Sequence, residues 1–287
     1  MKDIKEIKSK IDPVILHTMP FLPAHNRKKD YLIKRRWGTQ VLTLRAYETL
    51  NGYDLITLLQ MLKDYIQNRS KWEKVGETLE PGKFILKREI DISSIAKERN
   101  IKNNDASNRK SIINSIKRWA SVDCQLVDEK NNSEINTKYI YESKIINTKN
   151  YKTMEILINQ RFFDFCVNEG LVIILNEIIK YKHETTILLD VFIQSTKWQR
   201  YDEKLLFEKI GLNETNLKER EKRRILKRTF TEFNENNKSI TYAHDTKNKN
   251  WEKSIATHKK SIATHKRSIA THKPARNPYR RKGLISI

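Results

Sequence analysis

Two stretches of this chain repeat one order of local signals: a short helix, a tight turn, a longer helix with a polar outer face, then two β-biased runs around a turn. In the first stretch, residues 53–69 (YDLITLLQMLKDYIQNR) put Leu55, Leu58, Leu59, Leu62 and Ile66 on one face at helical spacing, which predicts a core helix. A polar connection follows, with Gly76 and the Pro81-Gly82 turn signal. FILKREI then reads as a short strand. In DISSIAKERN, Asp91 is an N-cap and Ile92, Ile95 and Ala96 form an apolar stripe. After the turn IKNND, a second helix is expected over 106–120, which makes a helix-turn-helix candidate. CQLVDEKNNSEINTKYIYESKII supplies two β-biased runs around DEKNNSE, with Tyr139, Tyr141 and Ile145 alternating along the second.

The order then recurs. The apolar strand MEILI leads through 171–179 to ETTILLDVFIQSTKW, a helix with Ile187, Leu188, Val191 and Phe192 at helical spacing. YDEKLLFEKIGL is a short helix closed by Gly211, where a left-handed cap calls for glycine. ETNLKEREKRRILKRTFTEFNE is the third helix, with Leu226, Phe230 and Phe233 facing inward. KSITYAHDTKNKNWEKSI places two β-rich runs about the turn DTKNKN.

A hairpin directly after a helix-turn-helix is the winged-helix pattern. Its recurrence predicts an α+β fold: two tandem winged-helix domains with a disordered basic C-terminal tail. The expected divisions are an N-terminal extension over 1–50, a first winged-helix domain over 51–150, a second over 151–258, and the tail over 259–287. That tail contains most of a threefold repeat, SIATHK, at seven-residue spacing. The first copy is expected to continue the returning strand of the second hairpin. The later two show neither a turn signal nor an apolar stripe wide enough for a core.

Lys and Arg number 57 against 35 Asp and Glu, for a net charge of +22, and the sequence pI is near 9.8. Such an excess points to a polyanionic partner, with nucleic acid ahead of an anionic membrane surface. The segment from Ser254 onward holds nine Lys or Arg and no Asp or Glu, so it would add salt-sensitive, sequence-independent affinity. A tolerated in-frame duplication is the competing explanation of the repeat.

Two cysteines, Cys124 and Cys166, are too few for a zinc ribbon or a disulfide framework. The N-terminus lacks an apolar run suited to a signal peptide, and no apolar run approaches a membrane span. A soluble cytoplasmic protein with no membrane association is expected.

Enzymatic motifs are missing parts. No His-x-His pair exists for the metal of a rolling-circle nicking enzyme. GETLEPGKF has five residues where a P-loop has four, and ends in Phe84 in place of Ser or Thr. His258, His265 and His272 recur regularly, but no carboxylate or Cys joins them. No cofactor, metal or enzymatic activity is expected.

The candidate DNA-binding residues lie on two helices. On the third helix of the second unit they are Lys218, Arg220, Lys222, Arg223, Arg224, Lys227 and Arg228, offset by Glu219 and Glu221. A helix in the major groove needs long cationic donors for phosphates and for guanine O6 and N7. On the 106–120 helix, Asn108, Arg109, Lys110, Ser111, Asn114, Lys117 and Arg118 are expected to share the outer face, while Ile112, Ile116 and Trp119 turn inward. A solvated helix face is the alternative for both sets. A transcriptional regulator and a non-specific basic nucleic-acid-binding protein are the alternative functions, since a fold does not set a function.

Over 154–255, the runs MEILINQRFFDF, IIKYKHETTILLDVFIQSTKW, YDEKLLFEKIGL, KEREKRRILKRTFTEFNENNKSITY and NWEKSI resemble the C-terminal winged helix of iteron-binding plasmid replication initiators. Where that family usually has a Leu-Tyr pair in the long helix, this chain has Asp190-Val191-Phe192. The resemblance implies a second domain that binds repeated origin sites in double-stranded DNA and a first that mediates dimerisation as well as DNA contact. It also implies monomers that open the origin and engage the host helicase and initiator, and homodimers that repress.

Overall fold

The computed structural model describes residues 8–11, 15, 19–23, 28–78, 82–99, 106–146, 150–196, 198–237 and 240–255. In chain order, strands β1 (Lys8–Ile11), β2 (Lys29–Trp37) and β3 (Gln40–Glu48) precede helix α1 (Gly52–Gln67). Next come β4 (Glu73–Glu77), β5 (Phe84–Asp91), α2 (Ile92–Glu98), α3 (Ala106–Ala120), β6 (Asp123–Asp128), β7 (Ser133–Thr137), β8 (Ile140–Ile145) and β9 (Thr153–Asn159). The chain continues through α4 (Gln160–Glu169), β10 (Leu171–Ile174), α5 (Leu175–Ile178), α6 (Glu184–Thr196), β11 (Arg200–Asp202), α7 (Glu203–Lys209) and α8 (Glu219–Asn236). The hairpin β12 (Ile240–Asp245) and β13 (Asn250–Ile255) ends the described part.

Helix α1 is the pillar of the molecule. Asn51 caps it by accepting from the backbone N–H of Tyr53 and Asp54, and Asp54 accepts from the Asn51 N–H in return. The predicted face holds for Leu55, Leu58, Leu59 and Leu62, all buried, whereas Ile66 is exposed. The burial is wider than one stripe because α3, β1, α4 and α6 surround the helix. Both halves of the chain therefore pack on it: Tyr53 Oη donates to the Lys182 carbonyl, and Gly52 lies so close to the Glu184 backbone that a Cβ there would sit 2.7 Å from its carbonyl oxygen.

Strand pairing departs from the local reading in three places. The segment read as an extension supplies β2 and β3, and β3 pairs antiparallel with β6, so the first hairpin becomes the four-stranded sheet β2-β3-β6-β7. The run containing Tyr141 and Ile145 does not return along β6. It crosses to a second sheet, β4-β5-β9-β8, as the partner of β9. Strand β9, read as the start of the second unit, pairs along seven residues with β5 of the first. Hydrogen-bond partners distant in sequence decide all three.

The later part matches its predicted order closely. Three helices and a hairpin follow one another from α6 to β13 as expected, an unexpected short strand, β11, stands between α6 and α7, and the strands form one sheet in the order β11-β13-β12. Gly211 has φ +74°, and any side chain there would collide with the Phe21 carbonyl. Leu226, Phe230 and Phe233 are fully buried beneath α8. Phe230 stacks on Trp251 of β13 at 3.8 Å between ring centres. Burying such a ring contributes about 1.5–3 kcal/mol, so the hairpin and α8 stabilise each other. The returning strand runs to Ile255, which includes the first residues of the first SIATHK copy. The predicted disordered tail lies outside the described residues.

Candidate nucleic-acid interface

The outward face of α8 is cationic because Lys and Arg outnumber its acids there, although Glu219 and Glu221 are exposed among them. Lys218, Arg220, Arg224, Lys227 and Arg228 are exposed and Lys222 is half-buried. None of these six forms an ion pair with a described residue. Four glutamates share the helix. Glu221 accepts from the Lys218 N–H at the first turn, a favourable place for a carboxylate. Glu219 binds Arg223 one turn on, at 3.0 Å. Glu232 reaches back to the start of α6, accepting from the Lys182 and His183 N–H groups and the Thr186 hydroxyl. Glu219, Glu221 and Glu235 are exposed, and of these Glu235, at the far end, has no described partner.

Arg223 differs from its neighbours. Its Nε donates to Glu203 at 3.0 Å, and the Glu203 side chain is only 5 % exposed. The Glu203 hydrogen bond and charge, then Glu219, raise the Arg223 guanidinium above its ordinary range. His244 Nε2 of β12 lies 3.8 Å from Glu203 Oε1, beyond hydrogen-bond reach, and the Glu203 backbone N–H donates to the Lys249 carbonyl in the β12–β13 turn. Glu203 thus ties α7 to α8 through its carboxylate and to the hairpin through its backbone. Sequence reasoning missed Glu203 and Glu232, because nothing local marks which carboxylate turns inward.

The β12–β13 turn is built by Asp245, which accepts from the Lys247 and Asn248 N–H groups and leaves Lys247 and Lys249 exposed. Asp128 closes the β6–β7 turn in the same way, accepting from Lys130 and Asn131. The first turn, however, carries Asp128, Glu129 and Glu134 about Lys130, with Arg36 paired to Glu129. The two hairpin tips therefore have opposite electrostatic character.

On α3, the expected outer face is corrected at two residues. Lys110, Ser111, Asn114 and Lys117 are exposed, and Asn108 is half-buried. Arg109 is buried, with Nε donating to the Asn150 carbonyl at 2.7 Å. It lies one turn before Ile112 and Ile113, on the apolar stripe, so its position in the helical repeat was a legible signal. Arg118 turns onto Asp54, which is 0 % exposed. Its Nη2 donates to Asp54 Oδ1 at 2.6 Å, and its Nε lies 3.1 Å from both carboxylate oxygens. Ser115 and the Trp119 indole add bonds to the Asp54 side chain and carbonyl. Arg118 is thus a strut between α1 and α3, and no local signal reveals its partner.

Among the described residues, no helix is long and apolar enough to cross a membrane. No protein-family model and no curated protein sequence matches this chain. Among solved structures, the chain is similar to domains 2 and 3 of RctB. A selenomethionine crystal structure of those domains matches with a TM-score of 0.59 and 16 % identity, covering 85 % of this chain and 98 % of the other. A second crystal structure of RctB domains 2-3 gives a TM-score of 0.56 and 16 % identity over 84 % and 95 %. At that identity the likeness carries the fold, which spans nearly all of both domains.

Proposed function

We propose that this chain is a sequence-specific DNA-binding initiator of plasmid replication, built on two winged-helix units and without catalytic activity of its own. One observation carries the reading: α8 presents Arg220, Arg224, Lys227 and Arg228 outward without ion pairs among the described residues, while three of its four glutamates are engaged within the protein. Unpaired cations on an exposed helix suit phosphate contacts and guanine edges. The fold and the resemblance over 154–255 support the same reading.

On this reading α8 enters a major groove, and Lys110, Ser111, Asn114 and Lys117 of α3 face the duplex from the first unit. Arg109 and Arg118 leave the set of DNA contacts, and Arg223 orients α8 in place of reading a base. The partners are repeated origin sites, the host helicase and initiator, and a second copy of the chain. Footprinting on the DNA directly upstream of the gene tests the proposal. Protection of tandem repeats is expected, and uniform weak protection refutes it. Loss of the replicon on deletion of the gene separates an initiator from a transcriptional regulator.

A further inference from the structure

Residues 28–36, KKDYLIKRR, hold five cations and one acid. Two of the five are neutralised within the protein. Arg36 forks onto Glu129, with both nitrogens at 2.6 Å. Arg35, whose side chain is 16 % exposed, binds Glu214 at 2.5 Å. Lys28, Lys29 and Lys34 are exposed.

Glu214 belongs to the segment that leads from α7 into α8. Besides Arg35, it meets Lys28, whose Nζ lies 3.5 Å from its backbone carbonyl oxygen. Strand β2 is therefore docked from the first sheet onto Glu214, in the segment that leads to Lys218 and α8.

We infer that Lys28 and Lys29 form a second, sequence-independent DNA contact that holds phosphates bordering the groove entered by α8. The inference rests on the proposed docking of α8. A helix lying in a major groove has a phosphate strand on either side, so cations fixed beside its N-terminus meet backbone oxygens before base edges. A duplex carries one charge per about 1.7 Å of axis, and each neutralised phosphate releases condensed counterions. The Glu214 contacts of Arg35 and Lys28 hold the backbone that carries these lysines beside the approach to α8, which lowers the entropy lost on binding.

The test compares the intact chain with the double variant Lys28→Gln/Lys29→Gln. The probe is a duplex selected by the intact chain from a random-sequence pool, titrated across a series of KCl concentrations. The slope of log K against log [KCl] is expected to become shallower by about 2, roughly 0.9 for each phosphate that is no longer neutralised. The intact chain and the double variant are expected to select the same sequence, and thermal unfolding should change little, because both side chains are exposed and Lys28 gives up a single long bond to the Glu214 carbonyl. An unchanged slope overturns the inference and leaves the α8 reading standing. A changed base preference in the double variant also overturns it, since phosphate contacts carry no sequence information. Arg224→Gln is the control for α8: if it keeps full sequence preference, the α8 reading fails instead.

Discussion

Arg118→Ala separates a structural arginine from a DNA-reading one. The Arg118 side chain is 10 % exposed and Asp54 is fully buried, so the mutation leaves a carboxylate in the interior with Ser115 and the Asn51 N–H for hydrogen-bond partners and the Arg99 charge nearby. Breaking such a buried pair from one side costs about 3–5 kcal/mol. A domain has about 5–15 kcal/mol in total, so the variant should remain folded yet unfold at distinctly lower urea. Arg118→Lys keeps the charge but loses the two-nitrogen fork, and should fall between the two. The assay is equilibrium unfolding by urea, run also on Asp54→Asn and on Asp54→Asn/Arg118→Ala. The double variant should be more stable than the summed single losses by about 1–3 kcal/mol, because the pair shares one interaction. Binding to the selected duplex by the folded fraction should retain its sequence preference. A variant within about 0.5 kcal/mol of wild type, the range of ordinary surface substitutions, with altered base preference would refute the reasoning.

Three further outcomes are expected. Arg224→Ala should reduce discrimination between selected and scrambled duplexes by about 1–3 kcal/mol, whereas Arg223→Ala should lower affinity evenly across sequences in competition binding. Burial raises the Asp190 carboxyl to about 6, against the hydrogen bonds from Tyr181 and Gln194 that lower it. The folded state then holds this proton more tightly than the unfolded chain, so its contribution to stability is complete below the ordinary aspartate range and fades as pH rises through 6. Melting from pH 4.5 to 7.5 should show wild type losing roughly 2 kcal/mol relative to Asp190→Asn, and parallel curves would count against it. Gly211→Ala should destabilise by more than about 1 kcal/mol, because the position combines positive φ with a backbone collision. A melting point equal to wild type would contradict that.

Some of this protein was written in the sequence at short range. Helix α8, with Leu226, Phe230 and Phe233 under a cationic face, follows from spacing of three and four residues. Gly211, the Asp91 cap and the β12–β13 turn follow from backbone chemistry that a few neighbouring residues determine. Tertiary structure alone decided the rest. That β3 pairs with β6, that β9 belongs with β5, and that β2 docks on the approach to α8 all depend on partners far away in the chain, for which local periodicity carries no record. The arginines make the same point. Arg109 could be located from its place on the apolar stripe, but Arg118 and Arg223 have long apolar stems and charged ends that suit solvent, a duplex or a buried carboxylate equally well. Only Asp54 and Glu203, brought near by the packing of α1 against α3 and of α7 against α8, settle where those charges go.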